Sequence, residues 1–194
     1  MRAFIAIKLP LDIQNTLAQI QDKLKTTLPQ IAWTKPANLH LSLKFLGEIS
    51  LAQLQTTQRI IAEIVSKTLP FEIKLETLGV FPDYRRARII WIGTDQAPLE
   101  LKLLAGQIEA KLSQSVSTES QHPFQAHITL GRVKKPALAL ILKKELKKIE
   151  DSYPDGDLKF NTKGVTFFQS VLGPDGPTYS ILKELAFQEE YLKS

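Results

Sequence analysis

Pro36-x-x-x-His40-Leu41-Ser42-Leu43 returns 87 residues later as Pro123-x-x-x-His127-Ile128-Thr129-Leu130, and the recurrence decides how the rest of the chain is read. In each copy polar and apolar residues alternate, the period of a strand with one buried face. Residues i and i+2 of a strand project from the same side, about 6–7 Å apart. Each copy therefore presents an imidazole beside a hydroxyl, with Leu41/Leu43 or Ile128/Leu130 anchoring the opposite face. The first strand is read as Leu39 to Leu46. Leu41, Leu43 and Phe45 fall on one face, and His40, Ser42 and Lys44 on the other.

The recurrence extends in both directions. Pro10, Leu11, Ile13, Ile20 and Leu24 match Pro98, Leu99, Leu101, Ile108 and Leu112 at an offset of 88. Leu51 and Leu54 match Leu138 and Ile141 at 87. Phe71, Ile73, Leu78 and Val80 match Leu158, Phe160, Val165 and Phe167, also at 87. A near-constant offset across successive elements is the mark of an internal duplication. The elements are a strand Ala3–Lys8, a helix from Pro10 to near Pro29, and the first His strand. A helix through Ser66 follows, capped by Ser50 with Leu51, Leu54, Ile61 and Ile64 inward. Strands Phe71–Val80 and Arg88–Gly93 come next. The second half repeats this order: a helix from Pro98, a strand Ala126–Val133, a helix near Ala137–Glu150, and strands near Leu158–Gln169 and Thr178–Phe187. The fold class is α+β, with mixed or antiparallel sheets flanked by helices. We expect one domain, 1–194, with two pseudo-symmetric lobes from halves 1–84 and 85–194 and a cleft between them.

Composition narrows the chemistry. The chain has 194 residues, 25 Lys+Arg against 20 Asp+Glu, and no cysteine. Thiol catalysis, Cys-based zinc sites and iron–sulfur clusters are excluded, and a reducing compartment is compatible. The N-terminal apolar run is too short for a signal peptide. No stretch approaches the about 18 apolar residues of a membrane span. A cytoplasmic, monomeric protein is the expectation.

The histidines are His40, His122 and His127. Two walls of a cleft, each with one imidazole and one hydroxyl, suit in-line displacement at phosphorus. One histidine takes a proton from the nucleophile and the other gives one to the leaving oxygen. Such transfers contribute about 10²–10⁴ each in rate. The Ser42 and Thr129 hydroxyls can donate to the non-bridging oxygens. Metal ligation has no support, because there is no His-x-His, no His-x-x-x-His and no nearby carboxylate cluster.

His40-Leu41-Ser42-Leu43-Lys44-Phe45-Leu46-Gly47 and His127-Ile128-Thr129-Leu130-Gly131-Arg132-Val133 resemble the paired His-x-Thr/Ser motifs of the 2H phosphoesterases. More narrowly, the chain is similar to the LigT-like RNA 2′,3′-cyclic phosphodiesterases, also called 2′-5′ RNA ligases. The likeness includes Arg2–Ile7, Phe81–Trp91 and Leu172–Leu182. It implies that His40 donates a proton and His127 accepts one. Water activated by His127 would open a 2′,3′-cyclic phosphate and leave a 2′-phosphomonoester. The same attack by a 5′-hydroxyl in place of water would be ATP-independent 2′-5′ ligation. The implied partner is RNA with a 2′,3′-cyclic phosphate end, tRNA fragments among the candidates, with no cofactor and no membrane. Ser42 departs from the commoner Thr, losing the methyl that fixes its rotamer.

Further candidates are weaker. Arg132 lies five residues after His127, so a regular strand would aim it away from the site. The resemblance nevertheless implies phosphate contact, which needs a bulge or a long reach. Lys44 is placed to meet RNA phosphates, with a solvated lysine as the alternative. Arg85, Arg86 and Arg88 can line the cleft entrance, His122 is read as a loop residue, and Trp33 and Trp91 as core residues. Lys134–Glu150 carries six lysines and two glutamates, so most of the net charge of +5 is local. Two other readings stay open: a non-catalytic RNA-binding module, and an enzyme for another small cyclic phosphodiester.

Overall fold

Alternation, capping and turn chemistry build ten strands and four helices in the computed structural model, which describes residues 1–113, 123–134, 139–152, 158–174 and 176–188. In chain order they are β1 (Arg2–Lys8), α1 (Leu11–Lys25), β2 (Ile31–Trp33) and, after a 3₁₀ turn at Pro36–Asn38, β3 (His40–Glu48). Then come α2 (Leu51–Val65), β4 (Glu72–Lys74), β5 (Thr77–Phe81), β6 (Ile89–Gly93) and α3 (Leu99–Leu112). The chain continues with β7 (His127–Val133), α4 (Ala139–Glu150), β8 (Lys159–Asn161), β9 (Gly164–Gly173) and β10 (Gly176–Ala186). Among the described residues no helix is long and apolar enough to cross a membrane.

The helices follow their sequence signals. α1 buries Ile13, Leu17, Ile20 and Leu24, and α3 buries Leu101, Leu104, Ile108 and Leu112, one stripe each at helical spacing. Both start immediately after a proline, Pro10 or Pro98. α2 opens with a capping box: Ser50 Oγ accepts from the Gln53 amide at 3.2 Å, and Gln53 Oε1 accepts from the Ser50 amide at 2.8 Å.

Three expectations are corrected. Leu51 points outward, 65% exposed, because the inner stripe of α2 starts at Leu54. In α4 the buried stripe is Leu142, Leu146 and Ile149, whereas Ile141 is 43% exposed. The repeat partner of Leu54 is therefore Leu142, one residue later than the sequence match; Leu138 lies outside the described residues. The strands read as Phe71–Val80 and Leu158–Gln169 each break in two. The break has the same phase in both halves: β4 and β8 pair with each other in a separate two-stranded sheet, while β5 and β9 join the main sheet.

The main sheet has the order β10-β9-β1-β3-β7-β6-β5, with β2 added alongside β7, and every ladder is antiparallel. Its two lobes are β10-β9-β1-β3 and β7-β6-β5 with β2. The lobes in space are not the halves in sequence. β5, from the first half, pairs with β6, and β9, from the second, pairs with β1. α3 packs on β3 and α4 on β5, which ties the halves together again. The lobes meet at one ladder pair, Leu41 with Ile128, both fully buried. The two lobes are thus joined through this pair in one continuous sheet.

Candidate active site

Each histidine opens its strand, and the residue after it anchors in the junction between lobes. Leu41 and Ile128 point into the core, so His40 and His127, one residue earlier, emerge on the opposite, open face. Ser42 and Thr129 follow on that same face. Both imidazoles are partly exposed.

The tautomers follow from the backbone. His40 Nδ1 lies 2.7 Å from the Asn38 carbonyl, and His127 Nδ1 lies 2.8 Å from the Gln125 carbonyl. A carbonyl oxygen only accepts, so both Nδ1 atoms carry hydrogen and both Nε2 atoms are free for proton chemistry. His40 Nε2 is 3.0 Å from Ser42 Oγ. With the ring neutral, the serine donates to Nε2; with the ring charged, Nε2–H donates to the serine. No such partner is recorded for His127 Nε2 among the described residues.

Aromatic rings wall both sides. His40 lies against Phe4, centroids 4.8 Å apart, and meets the edge of Tyr179 at 5.3 Å and 82°. Phe168 stacks on Phe4 at 5.1 Å. His127 meets Phe81 at 5.0 Å and 90°, and Phe81 stacks on Trp91 at 5.1 Å. Burial among these rings pushes the titration of both imidazoles below the ordinary 6.5. The Asn38 and Gln125 carbonyls oppose that shift. A charged His127 lowers His40 further, so the two imidazoles sense each other.

Two β-bulges complete the face. On β3 the register with β1 runs Ala6–Ser42 and then Ile5–Lys44, leaving Leu43 as the extra residue. On β7 the register with β6 runs Trp91–Thr129 and then Ile90–Gly131, leaving Leu130 as the extra residue. The bulges are repeat-related, and each reverses the facing of the residues downstream of it on its strand. Arg132 is therefore carried back to the face of His127 and Thr129, opposite Ile89. Its field reaches the Tyr179 phenol on the other lobe, opposing the upward push that burial gives that group. Arg2 acts in the same sense.

The same device removes Lys44 from the site. It does not share the face of His40 and Ser42; it turns inward, 5% exposed, and its Nζ donates to both Glu109 oxygens at 2.8 and 2.7 Å. Its repeat partner is Gly131, where a Cβ would lie 2.6 Å from Ile31 Cγ2, so β2 occupies the space that Lys44 fills on the other lobe. Phe45, expected inside, is turned out to 64% exposure beside Phe4. It stands at the repeat position of Arg132.

The remaining candidates scatter. Arg85, Arg86 and Arg88 lie on the loop after Phe81, with Arg85 and Arg86 exposed and Arg88 exposed in the same stretch, and Arg86 pairs with Asp83 at 2.9 Å. That contact is the main reason the Asp83 carboxyl titrates below its usual range. Trp33 packs at the edge of the core, and Trp91 is buried but forms part of the wall beside His127. His122 lies outside the described residues. Reading the sequence alone missed Phe4, Phe81, Phe168, Tyr179 and the two orienting carbonyls. The Phe167-Phe168 pair was a usable signal, since in an alternating strand one of two adjacent rings must leave the core.

Known proteins share this fold. A family model described as LigT like phosphoesterase matches the chain twice, over residues 7–91 and 92–179. The RNA 2′,3′-cyclic phosphodiesterase of Methanocaldococcus jannaschii is 33% identical over 95% of this chain and 99% of its own. Among solved structures, TT0787 of Thermus thermophilus superposes with a TM-score of 0.79 at 27% identity, covering 98% of this chain and 100% of that one. E. coli LigT complexed with 3′-AMP gives 0.78 at 25% identity, covering 97% and 98%. Two matched halves, one His-x-hydroxyl motif in each, and likeness over nearly the whole length lead to one assignment: the chain belongs to the LigT-like phosphoesterase family.

Proposed function

We propose that this protein hydrolyses 2′,3′-cyclic phosphate ends of RNA by acid–base catalysis between His40 and His127. The observation that carries the reading is the orientation of the two rings. Each donates Nδ1–H to a backbone carbonyl, so each turns a titratable Nε2 to the open face. His127 Nε2 takes a proton from water as the water oxygen bonds to phosphorus. The bond from phosphorus to the 3′ oxygen breaks on the opposite side, and His40 Nε2–H protonates that oxygen. The product is a 2′-phosphomonoester, and the proton balance is restored when the two histidines exchange protons with solvent. With a 5′-hydroxyl as the attacking group in place of water, the same forward steps form a 2′-5′ phosphodiester and release the 3′-hydroxyl, which is ligation.

Arg132 and the Ser42 and Thr129 hydroxyls are the groups placed to meet the non-bridging oxygens, where charge develops. RNA as substrate is supported by the M. jannaschii relative, and a ribose-bound phosphate by the nucleotide complex of E. coli LigT. The proposal places the reaction in the cytoplasm, with a monomer as the acting form.

The test is direct. A short RNA ending in a 2′,3′-cyclic phosphate is incubated with the protein in chelator, and the hydroxyl that keeps the phosphate is identified. A 2′-phosphate is expected. A 3′-phosphate would reverse the assignment of leaving oxygen, and no turnover would favour the non-catalytic RNA-binding reading.

A further inference from the structure

The Asn38 side chain makes a long-range bond that the chemistry above does not use. Asn38 closes the 3₁₀ turn before β3: its amide donates to the Lys35 carbonyl at 2.8 Å, and its own carbonyl receives His40 Nδ1–H. Its Nδ2 reaches across to donate to the Pro177 carbonyl at 2.9 Å, 139 residues away. Pro177 is the second residue of β10, after Gly176, whose φ of 101° lies at the turn of the β9–β10 hairpin. Two residues further along the same strand face, Tyr179 sets its edge against the His40 ring. The hairpin thus reaches His40 through the Tyr179 and Phe168 rings and, by way of the Pro177 carbonyl, through Asn38.

The other lobe lacks this arrangement. Gln125, the repeat partner of Asn38, offers the same carbonyl to His127, but its side chain is exposed and makes no recorded bond among the described residues. The duplicated motifs have diverged at the residue that holds the ring. A proton acceptor working on water tolerates some rotation, because the water can follow it. A donor must meet a ribose oxygen fixed by the rest of the substrate, where a displacement of about 1 Å can cost about 10²-fold in rate.

We propose that Asn38 is a positioning residue for His40, coupling the β9–β10 hairpin to the orientation of the imidazole; this rests on the reading of His40 as the proton donor. The amide holds the turn, the turn holds the carbonyl, and the carbonyl fixes the Nδ1–H tautomer and the aim of Nε2. The titratable and charged groups around His40 are Lys8, opposite it on β1 and paired with Glu184, Tyr179 on β10 and His127 on β7. None of them is altered in the variants that test the coupling.

The test uses the full-length protein with ¹⁵N-labelled histidine, whose three imidazoles are assigned by single substitutions. In Asn38→Ala the ¹⁵N shifts of free His40 are expected to leave the single-tautomer pattern and its titration midpoint to fall, with His127 unchanged. On cyclic-phosphate RNA, kcat is expected to drop about 10–100-fold with KM within about threefold. Gly176→Val, which strains the hairpin turn but leaves Asn38 in place, should move His40 in the same direction and add nothing in the Asn38→Ala background. It keeps the proposal testable if Asn38→Ala fails to fold. Unchanged His40 shifts and midpoint, or additive effects in the double variant, would overturn the coupling. Wild-type protein inactive on the RNA would refute the enzymatic reading instead, while the shifts of free His40 would still decide whether Asn38 orients it.

Discussion

Leu41 and Ile128 form the ladder pair through which β3 and β7 meet, and each directly follows a histidine. Neighbours along a strand face opposite ways, so burying this pair forces His40 and His127 onto the open face on either side of the junction. The strands are antiparallel, which gives the two motifs an approximate twofold relation. The two histidines and the joint between the lobes are therefore set by the same few residues.

The pH dependence follows from burial. Both imidazoles titrate below 6.5 in the free protein. His127 must be neutral to accept a proton, so the acid limb of kcat/KM is expected below 6.5. His40 must be charged to donate, so its alkaline limb is also expected below 6.5. A bound phosphodiester anion favours the charged ring, and the alkaline limb of kcat should lie higher than that of kcat/KM. The sign for stability is the same. A neutral imidazole is favoured in the folded state, so stability is held above the unfolded value near 6.5 and falls as pH drops through the lowered folded values. Initial rates and thermal unfolding across pH 5–8 check both. A kcat/KM profile with both limbs above 7 would contradict this account.

Lys44 and Glu109 provide a second check, on the bulge. Glu109→Gln weakens the partner of a buried ammonium and is expected to destabilise by ~1–3 kcal/mol, below the range for fully buried pairs because Glu109 is partly exposed. Lys44→Met fills the same space without a charge, and its stability is expected within about 1 kcal/mol of wild type. Turnover by Lys44→Met should stay within about threefold. A large rise in KM would return Lys44 to the phosphate-binding face.

Arg132 and Phe45 occupy the same position after the two bulges, with different chemistry. Arg132→Ala is expected to lower kcat/KM about 10²-fold, through lost stabilisation of the phosphoryl oxygens. Phe45→Ala should leave hydrolysis of a minimal cyclic phosphate lacking a base nearly unchanged and weaken RNA binding, since stacking is worth about 1–3 kcal/mol per base. Both side chains are exposed, so unfolding should be little affected in either variant. Parallel kinetics on the RNA and on the minimal substrate separate these roles.

The legible parts of the fold were those with short-range causes. The inner stripes of α1 and α3 and the capping box at Ser50 could be read from neighbours in sequence. The two His-x-hydroxyl faces could be read because the repeat supplied a second copy. The exchange of β5 and β9 between lobes left no local mark, since it concerns which distant edge each strand pairs with. The bulges were half visible. Arg132 could share a face with His127 only if β7 skipped a residue, and the repeat demanded the same skip in β3. Carried over to β3, that demand turns Lys44 inward and Phe45 outward.

The central claim is that His40 and His127 act as one unit on a cyclic phosphate. The most direct measurement is single-turnover hydrolysis of a 2′,3′-cyclic-phosphate RNA, in chelator, by wild type, His40→Ala, His127→Ala and the double variant. Each single variant is expected to lose about 10²–10⁴ in rate, with RNA affinity retained and little further loss in the double variant. Near-normal turnover in either single variant, or losses that simply multiply, would contradict the account.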